Sequence, residues 1–358
     1  MARGLAARDS YNAEMKVGIA GFSGSGKSTV FHWLTGAAPD ASRSQQGQVG
    51  IATIADERLS WLSQLFKPKK TTAAKLEFLD TPGLLATERR DNPRRLGIMR
   101  DAGGLLIVLN GFAGGNLADE LRRFHDEILF ADLEIAMARI DKLGDQLKKP
   151  RPAKQKEIDQ AELDLLKRIA TCLEQGQGAS HAGLKEDEEK AIRSFQFLTL
   201  KKEMVLVNAG DDKIGQPLPD DVLKLSPTAL AAPAKLELEL EELPEEDRKA
   251  FMQDMQVSGF SKDEVLRKIF YGMGNNVFFT VGEDECRAWP IPKGATAVEG
   301  AGEIHTDLAR GFVRGEVVGY DDFRKVGSMK EAKHHGVYRL EGKTYVVQDG
   351  DIMHILHS

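Results

Sequence analysis

Residues Gly21 to Ser28 read GFSGSGKS, two glycines five positions apart followed by Lys and Ser. The pattern suits phosphate. Glycines let backbone N–H groups converge on phosphate oxygens, and the N-terminus of a following helix adds its positive end. Lys27 has the reach for the β- and γ-phosphates and Ser28 has the hydroxyl for Mg²⁺, while Gly21, Ser23, Gly24, Ser25, Gly26 and Thr29 complete the candidate cradle. The context matches: Lys16 to Ala20 is a short apolar strand, and Thr29 to Thr35 begins a helix. A Gly/Ser-rich turn without a ligand would not need every motif residue, so the phosphate-binding reading is preferred.

Two further strand ends carry chemistry. Asp80-Thr81-Pro82-Gly83 follows the apolar stretch Lys75 to Leu79. Asp80 suits Mg²⁺ contact through water and the Gly83 N–H suits the γ-phosphate, which makes Lys27 and Gly83 the candidate catalytic groups. Leu84 stands where many GTPases have a water-positioning Gln. A leucine cannot orient water, so hydrolysis needs another group or a partner, or is slow. Asn208-Ala209-Gly210-Asp211 follows the strand Met204 to Val207. Asp211 could accept both N1–H and N2–H of guanine, with Asn208 bracing the loop. The plain alternative is an Asx-rich turn; two upstream motifs favour base recognition.

These residues need a scaffold, and the chain supplies one. Apolar runs at 75–79, 104–109 and 204–207, separated by helical segments, predict a parallel sheet covered on both faces. From Phe124 to Ser194 the pattern changes: Leu133, Ala136, Ile140, Leu143 and Leu147 step by three and four, as do Ile158, Leu165, Ile169 and Leu173. KKPRPAKQ between them holds two prolines and cannot continue a helix, which predicts an antiparallel hairpin. The acidic run Leu236 to Arg248 reads as solvated surface. From Val277 onward, short strands with Gly and Pro punctuation predict a small β-rich domain.

The 358 residues allow two or three domains. A net charge of −6 excludes a globally basic nucleic-acid binder, so any such contact must be local. Lys148, Lys149, Arg151, Lys154 and Lys156 cluster at the hairpin tip and offer that patch. Arg89, Arg90, Arg94 and Arg95 follow the DTPG motif. They read as a solvated or partner-facing basic loop in preference to an arginine finger. Cys172 and Cys286 show no metal spacing and suit a reducing cytoplasm, and His305, His334 and His335 read as structural or surface residues. No apolar run is long enough to span a membrane. Residues 1–14 lack a signal-peptide core and read as a disordered extension, with Met15 a possible true start.

With these residues in hand, the chain resembles the Obg-related YchF family, also called Obg-like ATPases. The resemblance runs from about Lys16 to the end and is most specific in RAWPIPKGATA at 287–297, GEIHTDLARGFVRGEVV at 302–318 and GKTYVVQDGDIM at 342–353, which look like that family's TGS domain. ADLEIAMARI at 131–140 and EKAIRSFQFLTLKK at 189–202 bracket its helical insertion. Leu84 fits too, since the family carries a hydrophobic residue there. Departures mark a divergent paralogue: GFSGSGKS for GLPNVGKS, DTPG for DIAG, Asp211 where the family has Glu, and SRSQQGQV in place of its switch I. That last change leaves Ser44 as the candidate for the Mg²⁺-sensing Thr. The Ser/Cys-Ala motif near the base becomes Pro233-Ala234-Lys235, placing Ala234 and Lys235 in the candidate nucleotide site.

The resemblance implies a Ras-like P-loop NTPase domain over 15–124 and 196–276, a helical coiled-coil hairpin over 125–195 and a β-grasp-like TGS domain over 277–358. It implies Mg²⁺ with GTP or ATP as substrate. It also implies a cytoplasmic partner, the ribosome or ribosomal RNA, met through the hairpin tip and the TGS domain. Two functions follow as alternatives: a slow NTPase switch, or a nucleotide-binding regulatory module that does not hydrolyse.

Overall fold

The computed structural model describes residues 16–43, 45–87, 89–247 and 261–358. The chain runs β1 (Lys16–Ala20), α1 (Lys27–Thr35), β2 (Gln48–Ile54), α2 (Glu57–Phe66), β3 (Lys70–Thr72), β4 (Ala74–Asp80), α3 (Asn92–Arg100), β5 (Gly104–Gly111), α4 (Leu117–Leu147), α5 (Ala153–Glu174), α6 (Glu186–Ile192) and β6 (Lys202–Ala209). It continues through α7 (Asp220–Leu225), β7 (Leu230–Ala232), α8 (Ala234–Glu241), α9 (Lys262–Gly272), β8 (Asn275–Thr280), β9 (Glu285–Pro292), β10 (Phe312–Gly319), β11 (Arg339–Glu341) and β12 (Asp351–His357), with short helices between β9 and β11.

The first sheet has the order β2-β4-β1-β5-β6-β7. Strands β4, β1, β5, β6 and β7 are parallel, but β2 runs antiparallel to β4, so the all-parallel expectation needs correction. The reason lies in pattern: β5 (GLLIVLNG) is apolar on both faces and lies at the centre, whereas β2 (QVGIATI) alternates exposed and buried as an edge strand does.

Helix α4 is one rod of 31 residues. It starts at Leu117, before the expected insertion boundary, with the Asn116 side chain accepting from Asp119 N at 3.0 Å. Its first turns lay Leu121, Phe124 and Ile128 on the sheet, while Ala136 and Leu143 pack against Leu163, Leu166, Ile169 and Leu173 of α5 in a separate core. The hairpin is tied down at its base by Asp132, fully buried. Asp132 pairs with Arg100 at 2.7 Å and accepts from Leu198 N at 3.1 Å, Thr199 N at 2.8 Å and Thr199 Oγ1 at 2.8 Å. The acidic run is partly core: α8 buries Ala234, Leu236, Glu237 and Leu240, correcting the solvated-surface reading.

The second sheet has the order β11-β10-β12-β8-β9-β3. Its last strand comes from the N-terminal part: Lys70, Thr71 and Thr72 pair in parallel with Glu285, Cys286 and Arg287. Arg58 of α2 reinforces this joint, donating to Asp349 Oδ2 at 2.7 Å and to Tyr271 Oη at 2.8 Å. One apolar cluster runs from Phe31 and Phe78 beside the first sheet to Phe279, Val318 and Phe323 of the second. The C-terminal unit therefore shares a core with the rest.

A candidate nucleotide site at the end of the first sheet

The loop between β1 and α1 takes a shape that glycine makes possible. Gly21, Gly24 and Gly26 have φ of 137°, 86° and 83°, the region a Cβ disfavours. Helix α1 begins at Lys27, earlier than the sequence suggests. Lys27 is buried and donates from Nζ to Phe22 O at 2.6 Å, across the mouth of the loop. Burial pushes its ammonium down from 10.5 to about 8; Asp80 and Glu120 pull it up, and Arg95 pushes it further down.

At the start of α1, Ser28 donates from Oγ to Asp80 Oδ2 at 2.7 Å. The other carboxylate oxygen, Oδ1, is buried and has no hydrogen-bond partner. Burial raises the Asp80 carboxyl above its ordinary range, against the opposing pull of Ser28 and Lys27. A hard-oxygen pair with one oxygen free is the donor set that Mg²⁺ takes beside a nucleotide.

Residues 83 to 85 lie against the loop. Ser23 N donates to Leu84 O at 2.8 Å, Leu84 N to Gly21 O at 3.0 Å, and Ser23 Oγ to Gly83 O at 3.3 Å. A Cβ on Gly83 would sit 2.6 Å from Lys27 Nζ and 2.7 Å from Ser23 N, so only glycine fits. Arg95 Nη1 donates to the Gly83 carbonyl at 2.6 Å. Asn92, buried, clasps Leu85 from both sides, accepting from its N–H at 2.9 Å and donating to its carbonyl at 3.1 Å.

The third motif meets the first. Asn208 is buried and donates from Nδ2 to Ser25 O at 3.3 Å, and a Cβ on Gly26 would collide with that amide at 2.1 Å. Asp211 opens a short helical turn beyond β6, and it is exposed. Register places Asn208 opposite Ala232, which brings Ala234, buried at the start of α8, beside the same strand end. Lys235 points away and pairs with Glu239 at 3.6 Å. Ser44 lies outside the described residues.

Two residues were missed in the sequence. Phe112, 48% exposed, has ring and Cβ atoms 3.4 and 3.3 Å from where a Cβ on Gly26 and on Gly210 would sit, so it bridges the phosphate loop and the base motif. An aromatic directly after a central strand was its only signal. Asn110, two residues earlier in β5, donates from Nδ2 to Gly24 O at 3.3 Å.

At the hairpin tip the five cations are not equivalent. Arg151 donates to Asp159 Oδ2 at 2.6 Å, and Gln155 donates to Asp159 Oδ1 at 2.8 Å, so Arg151 closes the turn over a buried carboxylate. Lys148 pairs with Asp145 at 2.9 Å on the surface, and Lys149, Lys154 and Lys156 are exposed. His334 and His335 are exposed beside Glu331, far in sequence from the loop.

The strand order, the loop between β1 and α1 and the three motifs at one sheet edge define a Ras-like P-loop NTPase fold. Residues 16–134 match the family model described as "50S ribosome-binding GTPase", and residues 276–358 match YchF-GTPase_C, described as a protein of unknown function (DUF933). The chain is 30% identical to the Bacillus subtilis protein named "Ribosome-binding ATPase YchF", over 95% of this chain and 98% of that one. It is 32% identical to the Haemophilus ducreyi protein of the same name, over 95% and 98%. The solved Schizosaccharomyces pombe YchF GTPase superposes with a TM-score of 0.79 at 24% identity, covering 95% of this chain and 97% of that one. This chain belongs to the YchF family.

Proposed function

We propose that this protein binds a Mg²⁺–purine nucleoside triphosphate, hydrolyses it slowly and works as a ribosome-associated switch in the cytoplasm. The observation that carries the reading is the Ser28 hydroxyl on Asp80 at 2.7 Å, with the second Asp80 oxygen free and Lys27 buried alongside. When bound, Mg²⁺ supplies charge neutralisation at the β- and γ-phosphate oxygens. The chain does the rest. Backbone N–H groups from Gly21 to Ser28 wrap the phosphates, with Thr29 behind them, and the α1 N-terminus adds its dipole. Lys27 exchanges the Phe22 carbonyl for a phosphate oxygen. The Gly83 N–H, held by the contacts of residues 83–85, faces the terminal phosphate.

Base binding falls to the edge formed by Asn208, Asp211 and Ala234. Asn208 braces the loop, Asp211 takes the N–H groups of guanine, and the exposed face of Phe112 covers the ring where Ala209 lacks a lysine stem. Lys235, turned to Glu239, is not used by this arrangement. GTP is preferred over ATP only modestly. The ribosome reading rests on the names of the bacterial relatives and on the exposed lysines of the tip.

A second reading keeps nucleotide binding without turnover. Leu84 favours it, because this fully buried residue offers no hydrogen bond to water. Single-turnover phosphate release from GTP and ATP, with and without ribosomes, separates the two. Release that ribosomes accelerate supports the switch, binding without release supports the module, and absence of Mg²⁺-dependent nucleotide binding overturns both.

A further inference from the structure

We infer that Arg95 is a cation supplied in cis to the terminal phosphate, so that this site distinguishes nucleoside triphosphate from diphosphate through an arginine on α3. The inference rests on the nucleotide-binding reading above. For Arg95 it departs from the expectation that the arginines after DTPG form a solvated or partner-facing loop; Arg90 and Arg94 are exposed as that reading has them.

Arg95 differs from its neighbours. Arg90 and Arg94 are exposed, whereas Arg95 is half-buried and turned toward Gly83. One of its nitrogens, Nη1, holds the Gly83 carbonyl at 2.6 Å. Its Nε is buried with no hydrogen-bond partner. An arginine has five N–H donors in a planar fork, so holding one carbonyl leaves most of its capacity unused.

Its position is fixed from both sides. Leu96 and Met99 on the same helix are buried in the cluster that holds Leu84. Asn92 clasps Leu85 through two hydrogen bonds and also donates to Glu127 at 3.0 Å. Helix α3 is therefore locked in register with residues 83 to 85, and Arg95 cannot drift without the motif it serves.

Electrostatics says what it waits for. Lys27 and Arg95 flank the same residue: a Cβ on Gly83 would sit 2.6 Å from Lys27 Nζ, and Arg95 Nη1 holds the Gly83 carbonyl at 2.6 Å, with Asp80 and Glu120 as the nearby anions. Asp80 and Glu120 offset the two cations only in part, and the buried Arg95 Nε–H has no acceptor, so a further anion beside them is favourable. The loop amides cradle the first phosphates. Arg95 approaches from the Gly83 side, so it meets the last one. Leu84 leaves that end without a polar side chain of its own, and a hydrogen bond from a guanidinium to a phosphoryl oxygen is charge-assisted.

The test is calorimetric titration with a non-hydrolysable triphosphate and the diphosphate of the same base, both with Mg²⁺, on the full chain and on Arg95→Ala, Arg95→Gln and Arg95→Lys. Arg95→Gln keeps a donor for the Gly83 carbonyl without the charge and serves if the alanine variant fails to fold. Expected is a loss of triphosphate affinity of about tenfold or more in Ala and Gln, with diphosphate affinity within about twofold and Lys intermediate. Equal losses for both nucleotides, or an unchanged ratio, would overturn the inference and leave nucleotide binding standing. A wild-type chain that binds neither nucleotide would overturn the nucleotide reading and this one with it.

Discussion

The amide of Ser23 donates to the carbonyl of Leu84 at 2.8 Å, and Leu84 returns its own N–H to Gly21 at 3.0 Å. The phosphate loop and the segment after DTPG are thus joined through backbone, and the Leu84 side chain is free to serve the core. Leu84→Ala should cost about 2–5 kcal/mol of stability, as buried leucines do. Turnover should change by less than about tenfold, or 1.4 kcal/mol. Chemical denaturation and single-turnover phosphate release check both. A fall of several orders of magnitude at unchanged affinity would place catalysis on this side chain.

Lys27→Ala should abolish Mg²⁺-nucleotide binding or turnover while the chain stays folded. Circular dichroism and calorimetry measure the two. A folded variant with unchanged affinity and turnover would remove the phosphate-loop assignment.

The same lysine predicts a pH dependence. Its pKa near 8 in the free protein lies below the ordinary 10.5. Asp80, Glu120 and Arg95 are the charges that act on it, and a bound phosphate favours its protonated form. Affinity should therefore be flat below pH 8 and fall as pH rises above it, by up to about tenfold per unit, because binding then requires proton uptake. Stability runs the other way: between about pH 8 and 10.5 the unfolded chain binds more protons at this site, so its contribution rises with pH. Titrations in buffers of different ionisation enthalpy would detect the uptake. Its absence at pH 9 would contradict a lysine–phosphate contact.

Asp132 anchors the hairpin base with one ion pair and three hydrogen bonds. Asp132→Ala strands the partly buried Arg100 and should destabilise the protein by about 3–5 kcal/mol. Nucleotide affinity should change little, since the site lies at the other end of the sheet contacts. Denaturant unfolding and nucleotide titration in parallel give the answer.

At the tip, Lys148→Gln, Lys149→Gln and Lys154→Gln together should weaken ribosome binding and flatten its salt dependence, by roughly one unit of slope per lost phosphate contact. Arg151 is left out because it holds Asp159; Arg151→Gln should lower the thermal midpoint instead. Unchanged co-sedimentation with ribosomes at several salt concentrations would free the tip of that role.

Base selectivity offers the last test. Asp211 should favour GTP over ATP by about tenfold, a modest figure because Ala209 lacks the stem that covers a base. Tighter binding of an ATP analogue, measured with Mg²⁺, would reverse the assignment.

The chain's local chemistry was legible in one dimension. GFSGSGKS, DTPG and NAGD each sit at the end of an apolar strand, and contiguous motifs need only their own spacing to be read. Central strands such as Gly104–Gly111 announce themselves because burial on both faces demands an unbroken apolar run. Other features depend on partners distant in sequence. The edge strand Gln48–Ile54 alternates in burial but not in residue type, since Val49 and Ile51 are exposed, and its antiparallel pairing is decided by β4. Strand Lys70–Thr72 is three residues long and exists through Glu285–Arg287, more than two hundred residues away. Arg95 and Arg94 are indistinguishable as letters, and Arg151 and Lys149 are alike in charge and place in the sequence. Helix phase turns Arg95 to Gly83, and the turn between α4 and α5 brings Arg151 to Asp159, while Arg94 and Lys149 stay in solvent. Side-chain type and spacing set what chemistry is available, but which cation turns to the Gly83 carbonyl and which closes a turn follows from packing that only the tertiary structure decides.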